Sequence, residues 1–303
     1  MLARIEETVH AREPLEVSHG PTAIETLLAG LIDYAGLYPP AGLAMRPAVE
    51  NYRKYRRGKH AIALGRFIVD INKLDDLRTA AGDLCDLSLS IIVPQPALVS
   101  AVSKLIDDGA PIESIEVKAA APADVERITR SIPNELETYI EVPIEPMGTD
   151  LLRAISDAGA RVKLRMGGVV TEAFPSSAVV ARALAFLVQA NVGFKATAGL
   201  HHPIRSRHRL TYAQDSPVGM MHGFINLTCA AALLQFGADV TEVERALEEE
   251  DSSAWRMTPD ALAWRSHPWS VDQLGETRKQ FFVSFGSCSF EEPIRDMEAL
   301  GWL

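Results

Sequence analysis

Arg161-Val162-Lys163-Leu164-Arg165-Met166-Gly167-Gly168 and Gly193-Phe194-Lys195-Ala196-Thr197-Ala198-Gly199-Leu200 are two versions of one pattern. Each reads as a short apolar strand that carries a lysine and ends in a glycine turn. The lysines stand 32 residues apart, about the length of one strand–helix–strand unit. A lysine inside an apolar strand is costly unless it is paired or used in chemistry. Two of them on neighbouring strands of a parallel sheet point to an active site built from strand ends.

Working outward from this pair, further strand candidates fall at 31–38, 66–71, 87–93, 112–118, 138–142 and 281–285. Helical periodicity occupies 44–56, 74–82, 97–108, 123–132, 149–158 and 176–190 between them. Short Val- and Ile-rich strands alternating with helices, eight in all, predict an α/β fold: a (β/α)₈ barrel of the TIM type. A doubly wound open sheet is the alternative. The reading divides the chain into an N-terminal arm over 1–20 and a single barrel domain over 21–303. The spacing breaks once, at a helical insertion over 201–280 between strands 7 and 8. It holds an apolar helix at 220–237, an amphipathic one at 240–250 and a Trp- and Pro-bearing stretch at 255–269. That stretch could cap the barrel, cover the active site or build an oligomer interface. A helix apolar on all sides must be buried, in its own chain or in a partner. A homo-oligomer is therefore possible.

The composition narrows the function classes. A net charge of −10 argues against nucleic acid and anionic membrane as partners, since both require clustered Lys and Arg. Three scattered cysteines, Cys85, Cys229 and Cys288, fit a reducing compartment without a disulfide framework. The first residues lack the apolar stretch of a signal peptide, and no uninterrupted apolar run is long enough to span a membrane. A cytoplasmic protein is expected. No dinucleotide fingerprint or Walker loop occurs, so no bound nucleotide and no other cofactor is expected.

Barrel enzymes carry their reacting groups at the C-terminal ends of the strands. Those ends here are Asp33 and Tyr34, Asp70 and Asn72, Glu116 and Lys118, Glu141 and Glu145, Lys163 and Arg165, Lys195 and Thr197, then Ser284, Ser287 and Ser289. Burial and a second cation would both lower the pKa of Lys195, freeing its amine to attack a carbonyl and form a Schiff base. Lys163 is the second cation, or the roles are reversed. Glu141, Asp70 or Tyr34 would move protons. Alternatively each lysine pairs with Glu141 or Glu116 in a salt bridge inside the barrel. The loop after the seventh strand holds His201, His202, Arg205 and Arg207, and the eighth ends in Ser287 and Ser289. With Arg165 and Thr197, these groups suit a small anionic substrate. Glu141 and Glu145, four residues apart, would share one face of a continuous strand. The acidic run 248–251 reads as a solvated helix end.

These motifs resemble the class I aldolases of the deoxyribose-phosphate aldolase type. In that family the sixth strand presents a Schiff-base lysine, the seventh a second lysine, and the eighth a Gly-Thr/Ser-Ser phosphate loop. Lys163 with Gly167-Gly168, Lys195 with Gly199, and Gly286-Ser287-Cys288-Ser289 match in that order. Ile32-Asp33 is similar to the first-strand Ile-Asp pattern. Arg165 stands where the family has a small hydroxyl residue, and no Asp matches on the third or fourth strand. The chain also resembles a bacterial β/α-barrel family with the signature Phe194-Lys195-Ala196-Thr197-Ala198-Gly199-Leu200-His201-His202-Pro203. The resemblance implies a carbon–carbon lyase, aldolase-like, acting on a small anionic carbonyl compound with phosphate binding at the eighth strand.

Two other readings use the same scaffold. A metal-dependent lyase, isomerase or hydrolase would place an ion near His201 and His202, although no His-x-His or Cys-x-x-Cys spacing occurs. A non-catalytic, barrel-derived binding protein would have fully salt-bridged lysines and a mouth closed by apolar side chains.

Overall fold

The computed structural model describes residues 20–133 and 135–303. The arm expected over 1–20 lies outside the described residues except for its last member.

Eight parallel strands close into a barrel. They are β1 (Ile32–Tyr34), β2 (Leu64–Asp70), β3 (Leu89–Val93), β4 (Ile112–Lys118), β5 (Glu137–Glu141), β6 (Arg161–Arg165), β7 (Phe194–Thr197) and, last in sequence, β13 (Phe282–Ser287). Strand β13 pairs with both β1 and β7, which closes the ring. Helix α1 (Ala23–Leu28), opened by a capping box in which Thr22 accepts from the Glu25 amide and Glu25 from the Thr22 amide, leads into β1. Helices α2 (Met45–Arg56), α3 (Leu74–Ala81), α4 (Val99–Asp107), α5 (Pro122–Thr129), α6 (Thr149–Asp157) and α7 (Ser177–Gln189) connect successive strands around the outside. The predicted first strand at 31–38 shortens to three residues, because the chain turns at Ala35-Gly36 and does not continue extended.

The segment read as an insertion contains an ordinary part of the barrel. A hairpin, β8 (Ser206–Arg209) and β9 (Val218–Met221), comes first. Helix α8 (Phe224–Gln235) then makes the crossover from β7 back toward β13. Nearly all its residues are buried, and Phe224 stacks on Phe285 of β13 with ring centroids 5.1 Å apart. Helix α9 (Val240–Glu248) covers the other side of α8. That explains why α8 is apolar all round: it is sandwiched within its own chain and offers no face to a partner. Asn226 fixes the sandwich, accepting from the Arg205 amide and donating to the carbonyls of Ala246 and Glu249.

Strands β10 (Trp255–Met257), β11 (Ala261–Trp264) and β12 (His267–Ser270) form a small antiparallel sheet against α1 and α10 (Val271–Glu276). The Trp-bearing stretch thus sits beside α1, where the chain enters the barrel, away from the mouth. The acidic run 248–251 is not wholly solvated. Glu249 is buried, and its Oε2 accepts from Trp264 Nε1 at 3.2 Å and Arg265 Nε at 2.8 Å. A π-turn at Thr277–Phe281 carries Arg278, whose buried guanidinium donates to the carbonyls of Leu27, Ala29, Phe282 and Val283. It ties the end of α1 to the start of β13 at the seam of the barrel. Helix α11 (Glu291–Ala299) completes the ring.

The stretch Thr171–Gln189 is long and apolar enough to cross a membrane on composition, although Glu172 and Arg182 interrupt it, so it is not an uninterrupted apolar run. It is a short 3₁₀ turn followed by α7, which packs between β6 and β7 as a crossover helix.

Candidate active site

The outward-facing residues of the strands, such as Phe67, Val69, Ile91, Ile115, Ile140, Val162 and Leu164, pack against the helices and form the apolar core. The inward-facing set is different. Barrel interiors are ordinarily filled by layers of branched apolar side chains. This one is filled by charges.

Lys195 on β7 is completely enclosed. Its Nζ donates to Asp33 Oδ2 on β1 and to Glu116 Oε1 on β4, each at 2.6 Å, and lies 5.0 Å from the centre of the Tyr139 ring on β5. Asp33 is held in turn by the Arg66 amide at 2.7 Å and the Ser284 hydroxyl at 2.8 Å. Gly65 is required for this arrangement, because a Cβ there would fall 2.3 Å from Asp33 Oδ1. Glu116 Oε1 also accepts from Ser90, which accepts from Ser114. Lys163, the register partner of Lys195 on β6, stands 2.8 Å from Glu116 Oε2 and 2.9 Å from Glu141 Oε2 on β5. The Glu116 contact lacks hydrogen-bond geometry, and that oxygen is buried without a hydrogen-bond partner. Glu141 continues the chain outward, with Oε1 3.5 Å from Arg165 and 3.7 Å from Lys118. The result is one alternating line across the barrel: Asp33, Lys195, Glu116, Lys163, Glu141, then the two rim cations.

Burial alone would push the Lys195 amine down, as the sequence leads one to expect. The Asp33 and Glu116 carboxylates outweigh it and hold the ammonium above the ordinary lysine range. Glu116 is fully buried, which would raise it, yet Lys163 and Lys195 hold it well below the usual carboxylate range. Glu141 likewise resists burial and is lowered by Lys163, then Arg165 and Lys118.

Above this line the barrel mouth opens into a cavity of about 490 Å³. Lys163, Glu116, Glu141, Arg165, Lys118, Thr197, His201 and Tyr38 line it; Lys195 does not. The Tyr38 hydroxyl is buried without a well-formed hydrogen bond. Burial, then the charges of Glu116 and Asp70, raise its pKa and keep it protonated. A larger hollow of about 710 Å³ opens at the other end of the barrel, beside Arg66 and Arg278. The mouth is the better candidate, because the strands deliver their C-terminal ends and the unsaturated part of the ion-pair line to it.

The glycine turns after β6 and β7 serve close packing. A Cβ on Gly167 would sit 2.4 Å from the Phe174 ring, and one on Gly199 would meet the same ring at 2.6 Å. Gly199 also has a positive φ of 72°, open to glycine without strain.

Of the residues singled out from the sequence, Lys163, Lys195, Glu141, Arg165, Thr197 and His201 are brought to the mouth or directly beneath it. Tyr34 is not. It points outward into an aromatic cluster with Tyr52, Tyr55 and Phe67, behind α2. Asp70 caps the turn after β2, accepting from the Asn72 amide. Arg205 faces Glu250 across the surface, and Arg207 is exposed on β8. Ser287 and Ser289 bond to one another, and Ser289 caps α11 by accepting from the Glu292 amide at 3.1 Å. Strand β5 ends at Glu141, so Glu145 does not share its face and pairs with Arg182 instead. His201 and His202 engage carboxylates of α11, Glu292 at 2.9 Å and Asp296 at 2.5 Å. Among the described residues, no three His, Cys, Asp or Glu are grouped to hold a metal ion.

Tyr38 was missed because the sequence pattern puts it at the end of an extended first strand, whereas the chain turns after Tyr34 and carries it to the mouth. Asp33 and Glu116 were visible as charges at alternating positions of apolar strands, but only barrel closure reveals that they share one lysine.

No family model matches the chain, and no curated protein matches it. Among solved structures it is similar to FabK from Thermotoga maritima, at 20% identity over 61% of this chain and 56% of that one, with a TM-score of 0.38. A FabK mutant from the same organism gives 18% over 61% and 60%, TM-score 0.37. A nitroalkane oxidase from Streptomyces ansochromogenes gives 14% over 72% and 65%, TM-score 0.35. The chain spans less than two thirds of each of those proteins. Likeness at this level carries no weight for activity; the barrel rests on its own strand pairing.

Proposed function

We propose that this barrel is a carbon–carbon lyase of the aldolase kind, acting on a small carbonyl compound through a Schiff base on Lys163. The observation that carries the reading is the position of Lys163: a buried amine that reaches the mouth cavity and stands 2.9 Å from Glu141 Oε2 in the cavity wall. Lys195 is shut away from the cavity and held charged, so it is not suited to attack. Its fixed positive charge is spent on Asp33 and Glu116 Oε1, which leaves Lys163 as the lysine that reaches the cavity.

In the reaction, Lys163 passes a proton to Glu141 and its free amine adds to the substrate carbonyl carbon. The carbonyl oxygen takes one proton from the added nitrogen and a second from Tyr38, which regains it from the protonated Glu141, and leaves as water. The resulting iminium withdraws electrons from the adjoining carbon. The bond one carbon further out breaks, a carboxylate accepts the hydroxyl proton of the departing aldehyde, and the remaining enamine is reprotonated. Each role uses a group already facing the cavity.

Both lysines are salt-bridged, as the binding-protein reading requires, but the mouth is open and charged where that reading calls for closure by apolar side chains. Borohydride trapping tests the lyase reading. Incubation with small aldehydes and ketones should add one reduced adduct to the wild-type mass, abolished in Lys163→Ala. An adduct retained in Lys163→Ala and lost in Lys195→Ala would reverse the roles, and none across the panel would sink the reading.

A further inference from the structure

We infer that the mouth recognises a carboxylate, held by Lys118 and Arg165 at the β4–β6 rim, and not a phosphate at the eighth strand; the carbonyl part of this substrate class rests on the Schiff-base reading. The serine hydroxyls of the eighth-strand loop are committed. The Ser287 hydroxyl donates to the Ser289 carbonyl at 2.7 Å, Ser289 Oγ accepts from Glu292, and α11 opens with Glu291 and Glu292. Acidic residues in a first helical turn already complement its dipole and repel another anion. Neither Arg205 nor Arg207 lines the cavity.

The opposite rim has spare donors. Lys118 and Arg165 both line the cavity, with side chains 72% and 54% exposed, and both lean on the same oxygen, Glu141 Oε1, at long range. Glu141 therefore serves three cations with two oxygens, since its Oε2 is taken by Lys163. An anion between Lys118 and Arg165 would satisfy their unused N–H groups with charge-assisted bonds. It would also draw both cations off Glu141, restoring to that carboxylate the basicity it needs to accept the Lys163 proton. Binding and activation are coupled through one residue. The formal charges agree: Asp33, Glu116 and Glu141 face Lys195, Lys163, Lys118 and Arg165, leaving one positive charge for one carboxylate. A phosphate dianion would overshoot.

The test uses acids without a reactive carbonyl, so that it does not depend on Schiff-base chemistry. Isothermal titration at low ionic strength would compare lactate and 2-hydroxybutyrate with glycerol 3-phosphate, on wild type and on Lys118→Gln/Arg165→Gln. Both substituted side chains are more than half exposed, so the fold tolerates the change. The hydroxy acids should bind wild type more tightly than glycerol 3-phosphate does, and at least about tenfold more weakly to the double variant. Tighter binding of the phosphate, equal binding to both proteins, or no hydroxy-acid binding at all would overturn the inference. Borohydride labelling of Lys163 by neutral hydroxyacetone in the double variant, whose Glu141 carries no rim cations, reports the Schiff-base reading separately, so either can fail alone.

Discussion

Lys195 and Lys163 are both lysines on buried strands, yet their surroundings make them opposites. Lys195 satisfies Asp33 and Glu116 and touches nothing else that is charged. Removing it leaves Asp33 buried without its cation and Glu116 with Lys163 alone. Lys195→Met should therefore cost about 3–5 kcal/mol, read as a lower urea midpoint. Adding Glu116→Gln to that variant should recover part of the loss, because the two changes act on one contact. Lys163→Met should cost less, since Glu141 keeps Arg165 and Lys118. Equal losses for the two lysines would contradict the division of labour drawn here.

At the scale of elements, the crossover helix α8 shows how sequence pattern and tertiary role diverge. Its uniform apolarity is what a helix needs when the barrel lies on one side and α9 on the other. Of the buried polar residues of α8, Thr228 bonds back to the Phe224 carbonyl, while Asn226 makes three hydrogen bonds that join the loop after β7 to the end of α9. Asn226→Ala strands a backbone amide and two carbonyls in the interior. A loss of about 2–4 kcal/mol is expected, with faster amide exchange over residues 203–206 and 246–250 preceding any global unfolding. Uniformly accelerated exchange would mean that the sandwich is not a separate unit. The β8–β9 hairpin belongs to the same region, places Leu210 and Met221 in the cavity wall, and is moored to α11 by His201 and His202.

For the molecule as a whole, the buried titratable groups set a stability window in pH. Glu116 and Glu141 have folded pKa values below the ordinary 4.5, so their stabilisation is present above that value and lost as pH falls through the folded ones. His208 is lowered to about 4 by burial, then by His202, so stability starts to decline once pH drops below the ordinary 6.5. Lys195 is raised, so its contribution is complete below 10.5 and lost as pH climbs through the folded value. Tyr34, Tyr38, Tyr52 and Tyr139, all raised chiefly by burial, add to the alkaline decline above about 10. Because burial also raises Cys229 and Cys288 above the ordinary 9, the melting temperature should be flat between about pH 6.5 and 9 and fall on both sides. A maximum near the isoelectric point of 5.3 would show that net charge, and not these buried groups, dominates.

The alternation of apolar and charged residues along each strand determined the barrel and the inward direction of its lysines, because side-chain direction in a strand is a local property of period two. The strand count and the spacing of the helices are local in the same sense. Which carboxylate meets which lysine is not. Asp33 and Lys195 are 162 residues apart, and Glu116 is 79 residues from the same amine. Only closure of β13 onto β1 and β7 brings them within a hydrogen bond. That closure reversed the expected direction of the Lys195 pKa, since burial without a partner lowers an ammonium and burial between two carboxylates raises it. Depth along the barrel axis was also beyond the sequence: Lys163 and Lys195 stand side by side in register, and one lines the cavity while the other lies sealed beneath it.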